Sequence, residues 1–265
     1  MAKKDILVFV KTYPEISRKY TETVCTAGIL AESRSLVRLY PIRFRYLEGN
    51  QQFSKYQWIK AAIHKSTADS RPESYTIDPD SIELGKVIEP GKNWTGRCAW
   101  ILRKHNVYPS VKALREAQAD KKTSLGLVKP KMLKRVLIET RKENEVAEAI
   151  AKKDSIISQI DMFEEKKDLY ILPIRISIEF FCSDPGCGGH KMSILDWEFG
   201  QLYRRLRYDR DLETKIKDKI RKDIFGENRE TYIIMGNMAN HQQVFCVLGF
   251  FYPPRHAAQQ RTLFA

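Results

Sequence analysis

The sequence predicts an α+β protein in two parts, a β-rich, barrel-like N-terminal module and a C-terminal α+β module with a cysteine and histidine turn. Three observations predict it. Short β-type runs fill the first 66 residues, a charged helical stretch follows residue 138, and strand and helix patterns mix beyond residue 168. With 43% hydrophobic residues, the 265-residue chain can bury a core, which excludes disorder and coiled coil.

The N-terminal module is predicted to span residues 1–138. Asp5 to Tyr13 has the apolar run of a buried strand, which Pro14 ends, and Ser17 is expected to cap a short helical turn. The remaining elements follow from β-branched and aromatic runs and from turn residues. They are strands at 23–30, 35–45 and 57–66, turns at 70–74 and 78–81, a helix at 111–119 after Ser110, and barrel closure by 124–138.

The rest of the chain divides into three predicted segments. Residues 139–168 form a charged helical connector, because their apolar residues recur at a three-to-four spacing. Residues 169–252 form the α+β module, and 253–265 follow Pro253 and Pro254 as an exposed tail. The module's elements are strands at 169–181 and 191–197, a long helix at about 199–225, and strands at 231–235 and 244–252.

The composition predicts a cytoplasmic protein without a membrane partner. No run approaches eighteen apolar residues, and the N-terminus lacks the apolar core of a signal peptide. Five scattered cysteines do not form the framework of a secreted disulfide protein. The thiols are therefore expected to be core residues or metal ligands.

The charge predicts a nucleic-acid partner, with DNA favoured over RNA. Lys and Arg number 46 against 33 Asp and Glu, a net charge of +13, and residues 101–138 carry ten basic side chains against two acidic ones. The basic residues are predicted to contact phosphates, and Tyr40 is predicted to stack on a base. The predicted binding residues are Arg38, Tyr40, Arg43, Arg45, Lys121, Lys122, Lys129, Lys131, Lys134 and Arg135. Phe44 and Tyr46 are further stacking candidates.

Two of these basic runs also have a purely structural interpretation. The alternation of Leu36, Arg38 and Tyr40 also fits a half-buried strand with polar residues outside. A second basic run, 204–222, is interrupted by acids and is interpreted as a solvated helix face.

The most specific chemical pattern is a metal-type turn formed by Cys182, Cys187 and His190. Thiolates and imidazole are typical zinc ligands, and the intervening glycines allow a tight turn. The fourth ligand stays open. The candidates are Cys246, His241, Cys98 and Asp184. A fourth protein ligand would make a structural zinc site and a water a catalytic one, while the alternative without metal is a glycine turn with two partly buried cysteines.

Asp196 and Glu198 are the candidate catalytic residues. On a strand they would share one face and could hold magnesium for a nuclease, with Lys191 or His190 nearby. The alternative places both at the start of the long helix, where carboxylates cap free amides.

The tail ends with Gln260, Leu263 and Phe264 in a pattern that resembles the pentapeptide with which bacterial DNA-acting proteins dock on the replicative sliding clamp. A second, looser match spans residues 159–163 and could be helical. The resemblance implies the sliding clamp as a partner, and an alternative is a disordered or core-docked terminus.

The sequence therefore predicts a nucleic-acid-binding protein in DNA processing, repair, restriction or defence, with structural zinc. One alternative is a magnesium-dependent nuclease using Asp196 and Glu198. Another is a partner-recruitment protein without chemistry of its own. Phosphate-cradling loops, dinucleotide fingerprints and H-E-x-x-H are absent from the sequence, which disfavours nucleotide-driven motors, dinucleotide enzymes and common metalloproteases.

Overall fold

Short runs rich in β-branched and aromatic residues form the strands of the N-terminal part, and the computed structural model closes five of them into a barrel. It describes residues 3–91, 94–159 and 166–255. The N-terminal elements are β1 (Lys3–Lys11), β2 (Glu15–Ser17), β3 (Thr21–Leu30), β4 (Leu36–Ile42), a 3-10 turn (Phe44–Tyr46), β5 (Gln57–Lys65), β6 (Ser74–Ile77), a second 3-10 turn (Pro79–Ser81), β7 (Glu83–Val87) and α1 (Thr95–Ile101).

The barrel contains five strands in the order β1, β3, β4, β6, β5 and back to β1. Only β4 and β6 pair in parallel; the other pairs of the ring are antiparallel. Ile6 and Val8 of β1 lie in the interior cluster, where β1 and β3 approach closely. A Cβ atom on Gly28 would come within 2.5 Å of Ile6 Cγ2, so glycine is the residue that fits this approach.

The C-terminal part is built from two antiparallel-rich sheets with helices packed on them. Its elements are β8 (Val107–Tyr108), α2 (Val111–Lys121), β9 (Leu125–Val128), β10 (Pro130–Thr140), α3 (Glu143–Ser158), β11 (Ile174–Cys182), β12 (His190–Ser193), α4 (Trp197–Leu206), α5 (Leu212–Asp218), a π-helical turn (Lys219–Ile224), β13 (Tyr232–Met238) and β14 (His241–Phe251). One sheet has the order β14, β13, β9, β8 and the other the order β10, β11, β12.

The two parts share a hydrophobic core. Successive residues of a strand point to opposite faces, so Leu7 and Phe9 of β1 point away from the barrel interior. They pack in one cluster with Leu127, Ile234 and Phe251 of the four-stranded C-terminal sheet. Strand β1 is therefore buried on both faces, and the barrel cannot separate from that sheet without exposing this cluster.

Buried polar contacts surround this shared core. Arg38 donates to the carbonyl of Ser124 at 3.1 Å, and Arg71 donates to the carbonyl of Asn237 at 2.7 Å. The Glu73 carboxylate accepts hydrogen bonds from the Ser124 amide at 3.0 Å and from its hydroxyl at 2.7 Å. These bonds fix the position of the barrel on the C-terminal part, because breaking one would leave a buried polar group unpaired.

The structure confirms the α+β class and the N-terminal barrel. The predicted closure of the barrel by 124–138 is wrong, because β9 pairs with β13 and β10 pairs with β11, while β5 closes the ring on β1. Ser17 caps a turn, as predicted, since its hydroxyl accepts from the Tyr20 amide at 3.2 Å. The turn is not helical, because Ser17 pairs with Thr21 in a short hairpin. The predicted long helix is interrupted where the Asp209 carboxylate accepts from the Asp211 amide, a local bond that competes with the helix.

No helix among the described residues is long and apolar enough to cross a membrane.

We expect Leu127→Ala to destabilise the whole protein by about 2–5 kcal/mol, because Leu127 is fully buried in the shared core. Denaturant unfolding should remain a single transition, and hydrogen exchange should show β5 and β13 losing protection together. The exposed residue Val87 provides the control, and Val87→Ala should change stability by no more than about 0.5 kcal/mol. Independent unfolding of the barrel would contradict the shared core.

Candidate functional site

The metal-type turn brings its three side chains together. Cys182 ends β11 and His190 begins β12, so the antiparallel pairing of these strands positions the connecting turn. His190 Nε2 lies 3.5 Å from Cys182 Sγ and 3.3 Å from Cys187 Sγ, and the three ligand atoms lie within 4.8 Å of one another. Tetrahedral zinc with ordinary bond lengths separates sulfur and nitrogen ligands by about 3.5 Å. The cluster could therefore hold a metal ion such as zinc.

The protonation states of the cluster suit metal binding. Burial and the nearby Arg115 guanidinium lower the pKa of His190, which favours the neutral imidazole that a metal requires. Burial opposes ionisation of Cys187, but hydrogen bonds from the Cys182 and Gly189 backbones lower the pKa of its thiol below the usual value. Bound zinc would crosslink β11, β12 and their turn.

The described residues supply three ligands, and none of the four predicted candidates joins them. Asp184 is in the turn itself, but its carboxylate accepts a hydrogen bond from the Gly186 amide at 2.8 Å. Cys98 is buried in the shared core on α1. Cys246 is on β14 and His241 begins that strand. The fourth ligand thus remains undetermined.

A second feature is a groove of about 820 Å³ between β10 and the residues that follow α5. We call it the basic groove. Among the residues that the structure describes, six cationic side chains line it, and Glu230 is the one acidic lining residue. The cations are Lys129, Lys131, Lys134, Arg221, Arg229 and Arg255. The fold has therefore joined part of the first basic run to a residue of the second.

Most of this positive charge is free of ion pairs. Lys129 pairs with Glu230, and Lys134 lies 3.6 Å from Glu179. Within the described ranges, the other four cations of the basic groove form no salt bridge. Because these four side chains carry charge that no acid neutralises, the groove is an attractive surface for a polyanion.

The remaining residues of the first basic run lie elsewhere or beside the groove. Lys121 and Lys122 are exposed at the end of α2, with the four residues of β9 between them and Lys129. At about 3.3 Å per residue, that strand alone spans about 10 Å. Arg135 lies on β10 and pairs with Glu179 at 2.8 Å. Lys131 and Lys134 are therefore the predicted contacts most directly presented by the groove, with Lys129.

The predicted nucleic-acid-binding residues of the barrel differ in their exposure to solvent. Tyr40 is 43% exposed, whereas Arg38 is 4% exposed and held by carbonyls of the C-terminal part. Arg45 forms a salt bridge with the buried Glu22 at 2.6 Å. It also donates to two backbone carbonyls, those of residues 167 and 168.

The other members of this segment contact aromatic groups. The Arg43 guanidinium lies 4.3 Å from the centroid of Tyr46, whose hydroxyl accepts a hydrogen bond from the Lys167 amide. Phe44 is buried in the barrel core. Tyr40 is thus the stacking candidate with an exposed ring, and Arg38 and Arg45 are occupied by internal contacts.

Asp196 and Glu198 lie at the start of α4 and not on a strand. The prediction of a shared strand face is wrong because β12 ends at Ser193 and Asp196 caps the helix, accepting from the Glu198 amide at 2.7 Å. The Lys55 ammonium lies 3.9 Å from Asp196 Oδ2 and 3.1 Å from Glu198 Oε2. A cation therefore already sits beside both carboxylates. Of the two neighbours proposed for them, Lys191 pairs with Glu139, and His190 belongs to the metal-type turn.

These carboxylates line a cavity of about 620 Å³ between the barrel and α4, which we call the interface pocket. Burial raises the pKa of Asp196 to about 7, although Lys55 opposes the shift. Burial also lowers the pKa of Lys11 to about 8, against the attraction of Glu198 and Asp196. Lys11 Nζ lies 3.3 Å from the Phe44 centroid and donates to the Phe53 carbonyl at 3.3 Å.

Sequence reasoning missed several residues of these two sites. Arg229 and Arg255 of the basic groove belong to no basic run, and Arg221 belongs to the run interpreted as a solvated face. Lys11 and Lys55 of the interface pocket are isolated in the N-terminal part. Only Arg221 had a signal in the sequence, its place in a basic cluster.

We expect the purified protein to contain about one zinc per chain, bound by Cys182, Cys187 and His190. Cys187→Ser should lose most of the metal and lower the melting temperature, because binding energy of the metal contributes to folding. Cys246→Ser should retain the metal, since Cys246 lies outside the cluster. Elemental analysis checks both variants, and equal metal content in Cys187→Ser would contradict the assignment.

Asp196 should make folding stability depend on pH. Its pKa is about 7 in the folded protein and about 3.9 in an unfolded chain, so the folded state retains a proton that the unfolded chain releases between these values. Its contribution to the free energy of unfolding should therefore fall as pH rises from about 4 to about 7. Asp196→Asn keeps a capping side chain and removes this titration. Unfolding at several pH values should show wild type losing stability relative to Asp196→Asn, and parallel pH profiles would contradict the shift.

The comparisons with known proteins agree with a division after α1. Residues 2–103 match the family model described as Domain of unknown function (DUF8758). No curated protein sequence matches the chain. A solved chain described as "Structure and Conformational Change of a Replication Protein A Heterotrimer Bound to ssDNA" is 10% identical, with 98% of this chain and 67% of that chain covered. Its TM-score of 0.28 is too low to establish a shared fold.

The family model for the remainder covers more than half of the chain. It matches residues 107–265, from β8 onwards, and so includes the metal-type turn, the basic groove and α4. By this match the chain belongs to the family described as Domain of unknown function (DUF8757).

Proposed function

We propose that this protein binds nucleic acid, with DNA as the preferred form, through the basic groove. The observation that carries the proposal is the convergence of six cations and one acid on a single groove of about 820 Å³. Phosphate contacts from Lys and Arg supply most of the affinity of nucleic-acid-binding proteins and release condensed counterions. The net charge of +13 adds a long-range attraction of the same sign.

The basic groove also contains apolar side chains. Met132 is 52% exposed on its β10 wall, and Phe225 lines the opposite side. Apolar side chains beside cations are suited to contact sugars and bases while the cations hold phosphates. Arg221 and Arg229 can each bind a phosphate with two parallel hydrogen bonds, a geometry that lysine lacks.

The barrel presents a less accessible surface for nucleic acid than the basic groove does. Five-stranded barrels of the OB type bind oligonucleotides on the outer face of their second and third strands. In this barrel those strands are β3 and β4, and part of their outer face is covered, since Arg38 is held by Ser124 and Ala27 lies in the shared core. The proposal therefore places the principal contacts on the C-terminal part, with exposed Tyr40 as an accessory stacking group.

The more specific functional hypotheses remain predictions. Roles in DNA processing, repair, restriction or defence rest on the sequence alone. The clamp-like residues Gln260, Leu263 and Phe264 lie outside the described residues, as do most positions of the second match. For a magnesium-dependent nuclease, Lys55 would have to leave its place beside Asp196 and Glu198 before a metal could bind there.

Charge reversal in the basic groove should weaken nucleic-acid binding. The double variant Lys131→Glu with Arg221→Glu should raise the dissociation constant at least about tenfold and reduce the salt dependence by about two counterions, because two phosphate contacts are lost. Fluorescence anisotropy with single- and double-stranded DNA and RNA of equal length, between about 50 and 200 mM salt, measures both quantities.

The matched control is Lys60→Glu with Lys86→Glu. Lys60 is exposed on barrel strand β5 and Lys86 on β7, which pairs with β5. Neither lines the groove, and the control changes the net charge by the same amount. We expect it to retain most of the affinity. Equal weakening by both double variants, or binding that does not depend on salt, would refute a localised site.

A further inference from the structure

We propose that the interface pocket binds a single nucleotide unit, with the base toward its buried floor and the phosphate at its exposed rim. This unit can be a free nucleotide or one nucleotide of a strand held by the basic groove. The second source rests on the proposed function, whereas the first does not.

The dimensions and walls of the pocket fit this ligand. Its volume of about 620 Å³ lies within the usual range for small-molecule sites, about 300–1,000 Å³. Trp197, Leu202 and Tyr252 are half-buried on its walls, and Phe44 and Phe53 lie behind Lys11. Apolar and aromatic walls with a few polar groups are typical of sites that enclose a flat ring.

The buried end of the pocket presents both hydrogen-bond donors and acceptors. Asp196 is 4% exposed, and one of its carboxylate oxygens is used by the Glu198 amide. The Lys11 ammonium has three donor hydrogens and, among the described residues, one hydrogen bond, to the Phe53 carbonyl. A donor and an acceptor that line the same cavity match the edge of a nucleobase, which carries both kinds of group.

The open end of the pocket is cationic. Arg205 on α4 and Lys219 in the π-helical turn are exposed and line the same cavity. With Lys11 and Lys55 they make four cationic side chains against three carboxylates, those of Asp196 and Glu198 in the pocket and that of Asp223, which pairs with Lys219 at 2.9 Å. The excess of positive charge favours an anionic ligand, and the exposed guanidinium can hold a phosphate with two hydrogen bonds.

One short segment separates the interface pocket from the basic groove. Lys219 and Ile224 line the pocket, while Arg221 and Phe225 line the groove. The two sites therefore share residues 219–225 as a common wall. A strand bound in the groove would lie one helical segment away from the pocket, so the pocket can receive a nucleotide turned out of that strand.

The first experiment uses free AMP, GMP, CMP and dTMP as probes. We expect at least one of them to bind with a dissociation constant below about 1 mM in calorimetric titration. Ser54→Trp should fill the mouth of the pocket, because Ser54 is exposed and lines it, and Arg205→Glu should repel the phosphate. Each should weaken binding at least about tenfold, a difference of about 1.4 kcal/mol.

Matched controls keep this test specific. Ala68→Trp adds the same side chain to an exposed loop, and Arg210→Glu reverses an exposed charge near the end of α4, and neither residue lines the pocket. Both should bind the nucleotide within about twofold of wild type, a shift much smaller than the tenfold expected at the pocket. Circular dichroism and melting temperature establish that all four variants are folded.

A second experiment distinguishes the source of the nucleotide. An oligonucleotide with a central 2-aminopurine reports unstacking of that base by an increase in fluorescence. If the occupant comes from a strand, wild type should increase the signal, and Ser54→Trp should abolish the increase while retaining anisotropy binding. The groove variant Lys131→Glu with Arg221→Glu should lose strand binding yet still bind the free nucleotides.

The outcomes separate the two proposals. Nucleotide binding that Ser54→Trp removes supports the pocket, whatever happens at the groove. Loss of strand binding in the groove variant supports the proposed function, whatever happens at the pocket. Absence of free-nucleotide binding would overturn the nucleotide pocket if the 2-aminopurine signal also fails to increase, or increases equally in Ser54→Trp.

Discussion

Burial of β1 on both faces is the constraint on which the rest of the structure depends. Ile6 and Val8 fill the barrel, while Leu7 and Phe9 pack against the C-terminal sheet. The chain just after this strand contacts the C-terminal part, since the Tyr13 amide donates to the Leu195 carbonyl at 2.7 Å. This contact brings the chain just before α4 against the end of β1. The position of α4 relative to the barrel, and with it the shape of the interface pocket, follows from one doubly buried strand.

The interface pocket and the basic groove both lie where segments that are distant in the chain meet. The interface pocket combines Lys11 and Lys55 with α4, and the pair formed by Lys55 and Glu198 is separated by 143 positions. The basic groove joins β10 to residues 221–231 and Arg255. The metal-type turn differs, since its three ligands come from one hairpin.

Local patterns in the sequence were reliable where the structure is local. The Cys182 to His190 turn and the Ser110 helix cap were predicted because their partners lie within nine residues. Arg38 occupies an outward position on a strand, as predicted, but a second sheet covers that face, which no pattern in β4 reveals. The parallel pairing of β4 with β6 and the closure of the barrel by β5 are long-range choices that strand patterns leave open. The fold class and barrel were therefore predictable, and the assembly of the pocket and the groove was not.

The doubly buried strand also has a consequence for biosynthesis. The barrel strands β1 to β6 leave the ribosome first, but Phe251, which covers Leu7 and Phe9, belongs to β14. At usual translation rates the intervening residues take on the order of ten to forty seconds to appear. Throughout that interval the nascent barrel presents an apolar strip to solvent or to chaperones. Slow translation of the segment between β6 and β14 would prolong this exposure.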